Sequence, residues 1–219
     1  MNPIKEIAEV VKKYPDVVFC VDTVSSMGGT SIPVDELGID FCITSTQKCL
    51  GCPPGMSVAS VSKKAYERAK TVPNRGLYLD IVEIYDKVVK DDKYQYPSTP
   101  SESHMFALQE ELTYMLEVEG LENRYARHLE MAEYIRAWAR KYFAIFSDER
   151  YLSPTLTTIK NTRGISVADL NKKLAEKGIE ISNGYGDLKE KTFRISHMAD
   201  MTMDDMKLVT SAIEEVLGL

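Results

Sequence analysis

The sequence predicts an α/β protein, in which part of an open sheet is followed by a small α+β domain. A helical pattern near the start precedes two continuous apolar runs, at residues 17–21 and 39–43, that are typical of strands buried on both faces. A helix, a buried strand, a turn and a second buried strand follow one another as in an open α/β sheet. From about residue 119 the elements become shorter, which indicates a second domain. We therefore predict an α/β region at 1–118 and a small domain at 119–219.

Local patterns identify the first elements. Apolar residues recur at helical spacing after Pro3, which is a favoured residue of a first helical turn, and they predict a helix that ends near Tyr14. Continuous apolar and β-branched residues predict buried strands at 17–21 and 39–45, and residues 56–61 predict a third. Gly and Pro residues separate these elements and mark the turns between them.

Two long helices are predicted in the middle of the chain. The first starts with Thr99 as the capping residue, Pro100 at the first helical position and Glu102 as an acid at the third. Its apolar residues fall on one face: Met105, Leu108, Leu112 and Met115. The second helix follows Gly120 and covers residues 121–142.

The small domain combines short strands with capped helices. Its strands are predicted at three places: 155–159, 179–182 and 192–196. Ser166, with Asp169 three residues later, opens one helix, and Thr202, with Asp205 at the same spacing, opens the last one. This mixture of elements is typical of a small α+β domain.

Composition and charge restrict the possible functions. The chain has 219 residues, a formal net charge of −6 and 44% hydrophobic residues, which is ordinary for a globular protein and too apolar for a disordered one. A pI near 5.2 without a basic block argues against nucleic acid or an anionic membrane as a partner. No apolar run approaches the ~20 residues that span a bilayer, and no signal peptide is visible, so we expect a cytoplasmic protein.

The four cysteines include one C-x-x-C pair, formed by Cys49 and Cys52. A zinc site would need two more Cys or His ligands at short spacing, whereas the three histidines are far apart. A redox pair should open a helix, but Pro53 and Pro54 follow this pair in a loop. We therefore expect neither a metal site nor a structural disulfide.

The residues with the clearest chemical potential follow the two buried strands. Asp22 ends the first strand, and Lys48 comes shortly after the second. Ligands of open α/β sheets bind beyond the carboxyl ends of the strands, so an acid and a lysine would face one crevice. Each residue alone also fits a simpler role, Asp22 in a turn and Lys48 at the surface. Neither a Gly-rich phosphate loop nor a His-Glu-x-x-His or G-x-S-x-G motif accompanies them.

Three segments resemble the class V aminotransferases, which use pyridoxal phosphate (PLP) on the type I fold. They are VDTVSSMGG at 21–29, STQKCLGCPPG at 45–55 and FRISHM at 193–198. The alanine/serine–glyoxylate and serine–pyruvate aminotransferases are the most similar group, and the resemblance covers essentially the whole chain. It implies the PLP-dependent transferase type I fold, with the C-terminal part of the large domain followed by the small α+β domain.

The resemblance also implies a role for each residue near the cofactor. Lys48 corresponds to the lysine whose amine bonds to the PLP aldehyde, and Asp22 to the carboxylate that keeps the pyridine nitrogen protonated. Val24 corresponds to a residue that packs against the ring face, although its side chain equally suits plain packing. Gln47 resembles a residue that helps to hold the phosphate. Arg194 corresponds to the arginine that grips the substrate α-carboxylate in a bidentate contact, with an exposed edge-strand arginine as the alternative.

Tyr96 and Thr99 match the family segment that reaches the phosphate of the neighbouring subunit's cofactor. The resemblance therefore implies a homodimer with shared active sites. Thr99 also has the simpler role of helix cap, and the two roles are compatible only if the N-terminus of that helix points at the phosphate. The three histidines, His104, His128 and His197, carry no functional signal.

The family pattern begins earlier than this sequence does. Family chains carry a long segment before the helix at Pro3, which supplies a Gly/Ser turn on the phosphate and an aromatic ring that stacks on the pyridine. We therefore expect this chain to lack the N-terminal part of the family chain and to need that segment, or a partner that supplies it, to complete the cofactor site.

The function implied by the resemblance is transfer of an amino group between a small amino acid, alanine or serine, and a 2-oxo acid, glyoxylate or pyruvate. Two alternatives stay open. One is a 2-aminoethylphosphonate-type transaminase, because Lys48 followed by Cys49 resembles the lysine motif of that group. The other is a truncated or split, non-catalytic subunit that needs a partner segment. A cysteine desulfurase is disfavoured, because Gln47 stands where that group usually has histidine.

Overall fold

Two β-sheets organise the chain in the computed structural model, which describes residues 1–90 and 95–219. The first sheet contains three strands in chain order: β1 (Cys20–Asp22), β2 (Phe41–Ser45) and β3 (Ser57–Val61). β1 is parallel to β2, and β3 is antiparallel to it. The second sheet contains β4 (Ala144–Ile145), β5 (Leu156–Lys160), β6 (Ser182–Asn183) and β7 (Thr192–Ser196). Its order is β4-β5-β7-β6, and every pair is antiparallel.

The helices of the described ranges connect and cover these sheets. They are α1 (Ile4–Val11), α2 (Val34–Leu37), α3 (Lys63–Lys70), α4 (Ile81–Tyr85), α5 (Glu102–Thr113), α6 (Leu121–Tyr142), α7 (Val167–Ala175) and α8 (Met203–Leu217). One π-helical turn, Asp86–Lys90, extends α4, and another, Tyr114–Glu119, extends α5. Short 3-10 turns lie at Glu149–Tyr151 and Gly186–Leu188. Among the described residues, no helix has both the length and the apolar character that crossing a membrane requires.

Local sequence signals account well for the small-domain elements. α6 and β7 cover the predicted residues, 121–142 and 192–196. The hydroxyl of Ser166 accepts a hydrogen bond from the backbone N–H of Asp169 at 3.1 Å, as a capping residue should. Thr202 and Asp205 form a reciprocal capping box at the start of α8. These predictions are confirmed because each depends on residues that are close in the chain.

The predicted start of the first long helix is wrong by two residues. α5 begins at Glu102 with Ser101 as its N-cap, and Thr99 is exposed and lies before the helix. The hydroxyl of Ser101 is hydrogen-bonded to Nδ1 of His104 at 2.7 Å, so it does not cap the backbone. The helix-capping role proposed for Thr99 is therefore excluded, and its hydroxyl is not used for that purpose.

The predicted burial of the first sheet is also wrong for this chain. The first strand lies at Cys20–Asp22 instead of residues 17–21, Cys20 is exposed, and every side chain of β3 is exposed. Within the described ranges β1 pairs only with β2, so its other edge is free. A groove of about 1810 Å³ is lined both by β3 and by the apolar face of α5. The apolar pattern of these elements thus faces an open groove instead of a packed layer.

Two separate hydrophobic cores lie on either side of residue 119. The smaller one surrounds Ala8, Phe19 and Leu37 under the first sheet. The larger one fills the space between the second sheet and the helices α6, α7 and α8: its fully buried members include Met131, Ile135, Ile159, Leu174, Phe193 and Ile213. These cores are compatible with the predicted division into 1–118 and 119–219, and the boundary itself stays a prediction.

His197 is a buried polar residue that follows β7 and joins this larger core. Its Nε2 is hydrogen-bonded to the hydroxyl of Thr157 at 2.9 Å, and its Nδ1 to the carbonyl of Pro154 at 2.9 Å. Burial lowers the pKa of His197 to about 4, because the protonated ring would lose its hydration. The geometry gives His197 a structural role.

We expect the free energy of unfolding to decrease as the pH falls from about 6.5 to about 4. In the unfolded chain His197 binds a proton below its ordinary pKa of 6.5, whereas the folded chain keeps the ring neutral down to about 4. Between pH 7.5 and pH 5 this group alone should remove about 2 kcal/mol of stability. Urea unfolding at the two pH values measures the loss, and His197→Gln should lose less. Equal losses in the two proteins would contradict the assignment.

Candidate functional site

Asp22 and Lys48 lie at the same edge of the first sheet. Asp22 is the last residue of β1, is exposed, and pairs in register with Ile43 of β2. Its Oδ1 accepts a hydrogen bond from the backbone N–H of Val24 at 2.8 Å, which fixes the carboxylate at the start of the following turn. β1 and β2 are parallel, so their carboxyl ends meet, and half-buried Lys48 follows the end of β2 at Ser45.

Lys48 is carried by a closed loop, residues 46–56, which we call the lysine loop. Thr46 is fully buried, and its hydroxyl donates to the carbonyl of Pro53 at 2.7 Å and to that of Met56 at 3.1 Å. The backbone N–H of Cys52 donates to the carbonyl of Thr46 at 2.9 Å. One buried side chain thus joins the two ends of the loop, and this fixes the backbone from which Lys48 projects.

His104 of α5 supports the same loop from outside. Its Nε2 donates to the carbonyl of Pro54 at 2.9 Å, while its Nδ1 is bonded to Ser101. The adjacent Gly55 has a φ of +138°, and a Cβ there would lie 2.7 Å from Nε2 of His104. Only glycine fits this position, because a side chain would push the imidazole away from the loop.

Arg124 of α6 supports the loop from the other side. Its side chain is fully buried, and its Nη2 donates to the carbonyl of Cys49, the residue after Lys48, at 2.9 Å. Three carboxylates surround the guanidinium: Glu119 at 2.7 Å, Glu111 at 3.0 Å and Asp200 at 3.1 Å. Burial, and then the neighbouring charge of Asp200, raises the pKa of Glu111. Arg124 therefore links the lysine loop to α5, α6 and the segment after β7.

The turn after β1 packs directly against the small domain, in a contact between Gly29 and Thr155 that we call the seam. The hydroxyl of Thr155, just before β5, donates to the carbonyl of Ser25 in this turn. Gly29, in the same turn, packs so closely that a Cβ would lie 2.4 Å from Cγ2 of Thr155. The turn that begins at Asp22 is therefore held by both sheets of the protein.

Arg194 places a guanidinium on β7 of the second sheet. Its Nη2 donates to the carbonyl of Asn183 at 3.2 Å, and its Nε is buried without a partner in the described ranges. The ring centre of Tyr185 lies 3.9 Å from its Cζ. The neighbouring guanidinium of Arg194 lowers the pKa of Tyr185. Tyr185 and Arg194 therefore form a cation–π pair on the second sheet.

The other predicted site residues lie in two separate places. Gln47 is exposed beside Lys48, and Val24 is half-buried in the turn after β1. Tyr96 is 40% exposed and lines the groove over β3, and neither Asp22 nor Lys48 lines that groove. Within a single chain the structure thus brings Asp22, Val24, Gln47 and Lys48 to one edge of the first sheet, carries Arg194 on the second sheet, and places Tyr96 in the separate groove. The predicted place of Tyr96 and Thr99 at a neighbouring subunit stays a prediction.

The cysteines beside the lysine are buried thiols. All four cysteines are free, and Cys49 and Cys52 are both buried. Burial raises the pKa of Cys49 to about 11 and also raises that of Cys52, so both thiols stay protonated and weakly reactive. In the part of the chain that the structure describes, no three His, Cys, Asp or Glu side chains gather as a candidate metal site.

Sequence reasoning missed four residues of this site: Thr46, His104, Arg124 and Tyr185. Thr46 lies inside the motif that carries Lys48, so its position was available as a signal. His104 and Arg124 act across long separations; Arg124 is 75 positions from Cys49. Tyr185 lies between β6 and β7 and contacts Arg194, which follows soon after it in the chain. The local sequence pattern does not show whether an arginine side chain on a helix is buried or exposed.

Comparison with known proteins agrees with this geometry. The family model for aminotransferase class V matches residues 1–209. This chain belongs to the aminotransferase class V family. An uncharacterized aminotransferase of Methanocaldococcus jannaschii is 43% identical over 90% of the chain and 51% of its own length. A 2-aminoethylphosphonate–pyruvate transaminase of Bacteroides fragilis is 32% identical over 98% of the chain and 59% of its own length.

The solved structures of the family confirm the predicted fold class. An alanine–glyoxylate aminotransferase from Nostoc sp. superposes with a TM-score of 0.90 at 28% identity, over 98% of this chain and 57% of that one. The chain therefore has the PLP-dependent aminotransferase fold, and class V membership confirms PLP as the predicted cofactor class. The chain spans between half and three-fifths of the length of these relatives.

We expect Thr46→Val to destabilise this family member by about 1–3 kcal/mol. The isosteric change removes the only hydroxyl that donates to the carbonyl of Pro53 among the described residues, and an unpaired buried acceptor carries a cost of that size. Thr46→Ser is the matched control, because it keeps the hydroxyl. Urea unfolding gives both stabilities. If the valine variant is as stable as the serine variant, the hydroxyl does not hold the loop.

Proposed function

We propose that the protein containing this chain is a transaminase that moves an amino group between a small amino acid, alanine or serine, and a 2-oxo acid, glyoxylate or pyruvate. The observation that carries the proposal is the juxtaposition described above. A lysine on a closed loop lies at the carboxyl end of β2, with Asp22 at the end of the parallel strand β1, and β7 of the second sheet carries Arg194. An amine, a carboxylate and a carboxylate-binding guanidinium are the groups that this reaction needs.

The residues present fit PLP. An exposed carboxylate and a half-buried amine lie at one sheet edge, and Ser45, the last residue of β2, has a buried hydroxyl without a partner in the described ranges. When bound, PLP supplies an aldehyde that bonds to an amine and a ring that withdraws electrons from the substrate Cα. Asp22 would hold a proton on the ring nitrogen, Val24 would pack against the ring face and Gln47 would help to hold the phosphate.

Lys48 has two successive tasks in this proposal. Its amine would hold the cofactor, and the same amine would take the proton from the substrate Cα as a general base. Both tasks need an amine with a fixed starting point. The hydrogen bonds of Thr46 and Arg124 within and onto the lysine loop supply that fixed backbone.

Arg194 would bind the carboxylate that amino acids and 2-oxo acids share. A guanidinium offers two parallel N–H donors to a carboxylate, which orients the substrate as well as binding it. Nε of Arg194 is buried and unpartnered among the described residues, so a donor is left for such a ligand. The relative from Bacteroides fragilis has pyruvate in its name and the one from Nostoc sp. has glyoxylate, and these are the acceptors proposed here.

A 2-aminoethylphosphonate-type transaminase is the second candidate. The relative from Bacteroides fragilis carries that name and is 32% identical to this chain. Its named donor has no carboxylate and carries a phosphonate one carbon beyond the amine-bearing carbon, so the two candidates differ in the donor and share pyruvate as an acceptor. Comparing 2-aminoethylphosphonate with alanine as donors for pyruvate separates them.

The assembly proposed for the active protein is a homodimer in the cytoplasm. Tyr96 and Thr99 would then reach the phosphate held by the partner subunit. Since α5 begins at Glu102, the hydroxyl of Thr99 is not used as a helix cap, which removes the conflict between its two predicted roles.

We expect reductive trapping to place a pyridoxyl group on Lys48. Borohydride reduction with substoichiometric PLP, followed by peptide mass mapping, identifies the labelled lysine. Lys48→Ala should lose the label, because the lysine loop presents this amine beside Asp22. Lys172→Ala, which removes an exposed lysine of α7, is the matched control and should keep it. A label that persists in Lys48→Ala would overturn the assignment.

A split or truncated subunit is the candidate of a different class, and the groove over β3 favours it. Large apolar side chains that line this groove are exposed, including Leu79 at 79%, Phe106 at 70% and Leu116 at 57%. The free edge of β1 adds unpaired backbone groups. Exposed apolar area of this kind marks an interaction surface or an aggregation risk. We propose that a further segment covers it in the active protein.

We expect the 219-residue chain alone to bind PLP weakly and to self-associate. Missing several charge-assisted hydrogen bonds of about 1.5–3 kcal/mol each removes most of a micromolar affinity of about 8 kcal/mol. Light scattering and a PLP titration test this. Both are repeated after addition of the N-terminal segment of the relative from Methanocaldococcus jannaschii. A stable monomer that binds PLP tightly and transaminates alanine with glyoxylate would contradict the partner requirement.

A further inference from the structure

Tyr185 is an aromatic residue with an unusual position beside Arg194. Its side chain is 76% exposed, yet its ring centre lies 3.9 Å from Cζ of the arginine. That distance is well inside the range of a cation–π contact, so the ring covers one face of the guanidinium. Most of the side chain is exposed, so the ring is free to contact a ligand that binds at Arg194.

The loop that carries Tyr185 is rigid. Oδ1 of Asn183 accepts hydrogen bonds from the backbone N–H groups of Gly184 at 2.7 Å and Glu190 at 2.9 Å, which closes the loop around it. Gly184 has no room for a side chain, since a Cβ would lie 2.1 Å from the carbonyl oxygen of Leu188. The backbone on both sides of Tyr185 is therefore fixed, and the ring acts as a wall.

This wall limits how a carboxylate can approach Arg194. The ring occupies one face of the guanidinium, and Asn183 occupies Nη2. A carboxylate must therefore enter in the plane of the guanidinium, with the rest of the ligand beside Tyr185. The face of an aromatic ring carries negative charge density and repels a second anionic group. A bulky substituent would collide with the same ring.

We propose that Tyr185 is a specificity-determining residue that favours 2-amino and 2-oxo acids with a small, uncharged side chain. The inference rests on the proposed function, because it takes Arg194 as the carboxylate ligand. Arg194 binds the carboxylate that all these acids share, and the ring of Tyr185 restricts the side chain that accompanies it.

Chemical modification of Arg194 in the 219-residue chain tests this without requiring turnover. Phenylglyoxal modifies accessible guanidinium groups, and peptide mass mapping gives the rate at Arg194. Tyr185→Ala should accelerate this modification about two- to fivefold, which is the effect of losing an exposed cation–π contact. Tyr185→Phe keeps the ring and should react at the rate of the unaltered chain.

Protection by 2-oxo acids measures the selection. In the unaltered chain and in Tyr185→Phe, pyruvate should protect Arg194 at concentrations about tenfold lower than phenylpyruvate or 2-oxoglutarate. In Tyr185→Ala, all three 2-oxo acids should protect Arg194 at almost equal concentrations. Tyr151→Ala is the matched control, because it removes a ring 5.3 Å from a different arginine, Arg150, and should leave Arg194 unchanged.

The outcomes separate the two proposals. If pyruvate protects Arg194 and Tyr185→Ala keeps the preference for pyruvate, the role of Tyr185 is overturned while the carboxylate role of Arg194 stands. If no 2-oxo acid protects Arg194 in the unaltered chain, both the role of Arg194 and the inference built on it are overturned. Loss of the preference in Tyr185→Ala, with retention in Tyr185→Phe and Tyr151→Ala, supports the inference.

Discussion

The buried hydroxyl of Thr46 is the interaction on which the rest of the site depends. By donating to Pro53 and Met56 it closes a loop that has no regular secondary structure, and the position of Lys48 follows from that closure. His104 and Arg124 then attach the closed loop to α5 and α6. A long, flexible lysine side chain is useful in a crowded site only when its backbone is fixed, and here several independent contacts fix it.

Arg124 adds an electrostatic constraint to this mechanical one. A fully buried guanidinium is costly unless carboxylates and carbonyl groups surround it, and Glu119, Glu111, Asp200 and the carbonyl of Cys49 do so. Because these partners come from separate parts of the chain, the charge can be compensated only when those parts are correctly placed. The lysine loop and the small domain are therefore coupled through one cation.

The extent to which sequence anticipates structure depends on the range of the interactions. The boundaries of α6 and β7 and the caps at Ser166 and Thr202 were predictable, because they depend on neighbours in the chain. The grouping of Asp22 and Lys48 was predictable from the shared edge of parallel strands. The burial of Arg124 and the hydrogen bond from His104 to the lysine loop were not, since both depend on which distant segments pack against them.

The seam between Gly29 and Thr155 has a consequence for how this family member can diversify. A Cβ at residue 29 would lie 2.4 Å from Cγ2 of Thr155, so the smallest possible side chain already collides. Serine at residue 155 would lack that methyl group and keep the hydroxyl that reaches Ser25, but a Cβ at residue 29 would still lie 3.0 Å from Sγ of Cys49 and 3.1 Å from Cδ2 of His128. A larger residue at position 29 therefore requires changes at several neighbours together. Three distant parts of the chain thus maintain one glycine, and sequences that keep this contact must keep it as a set.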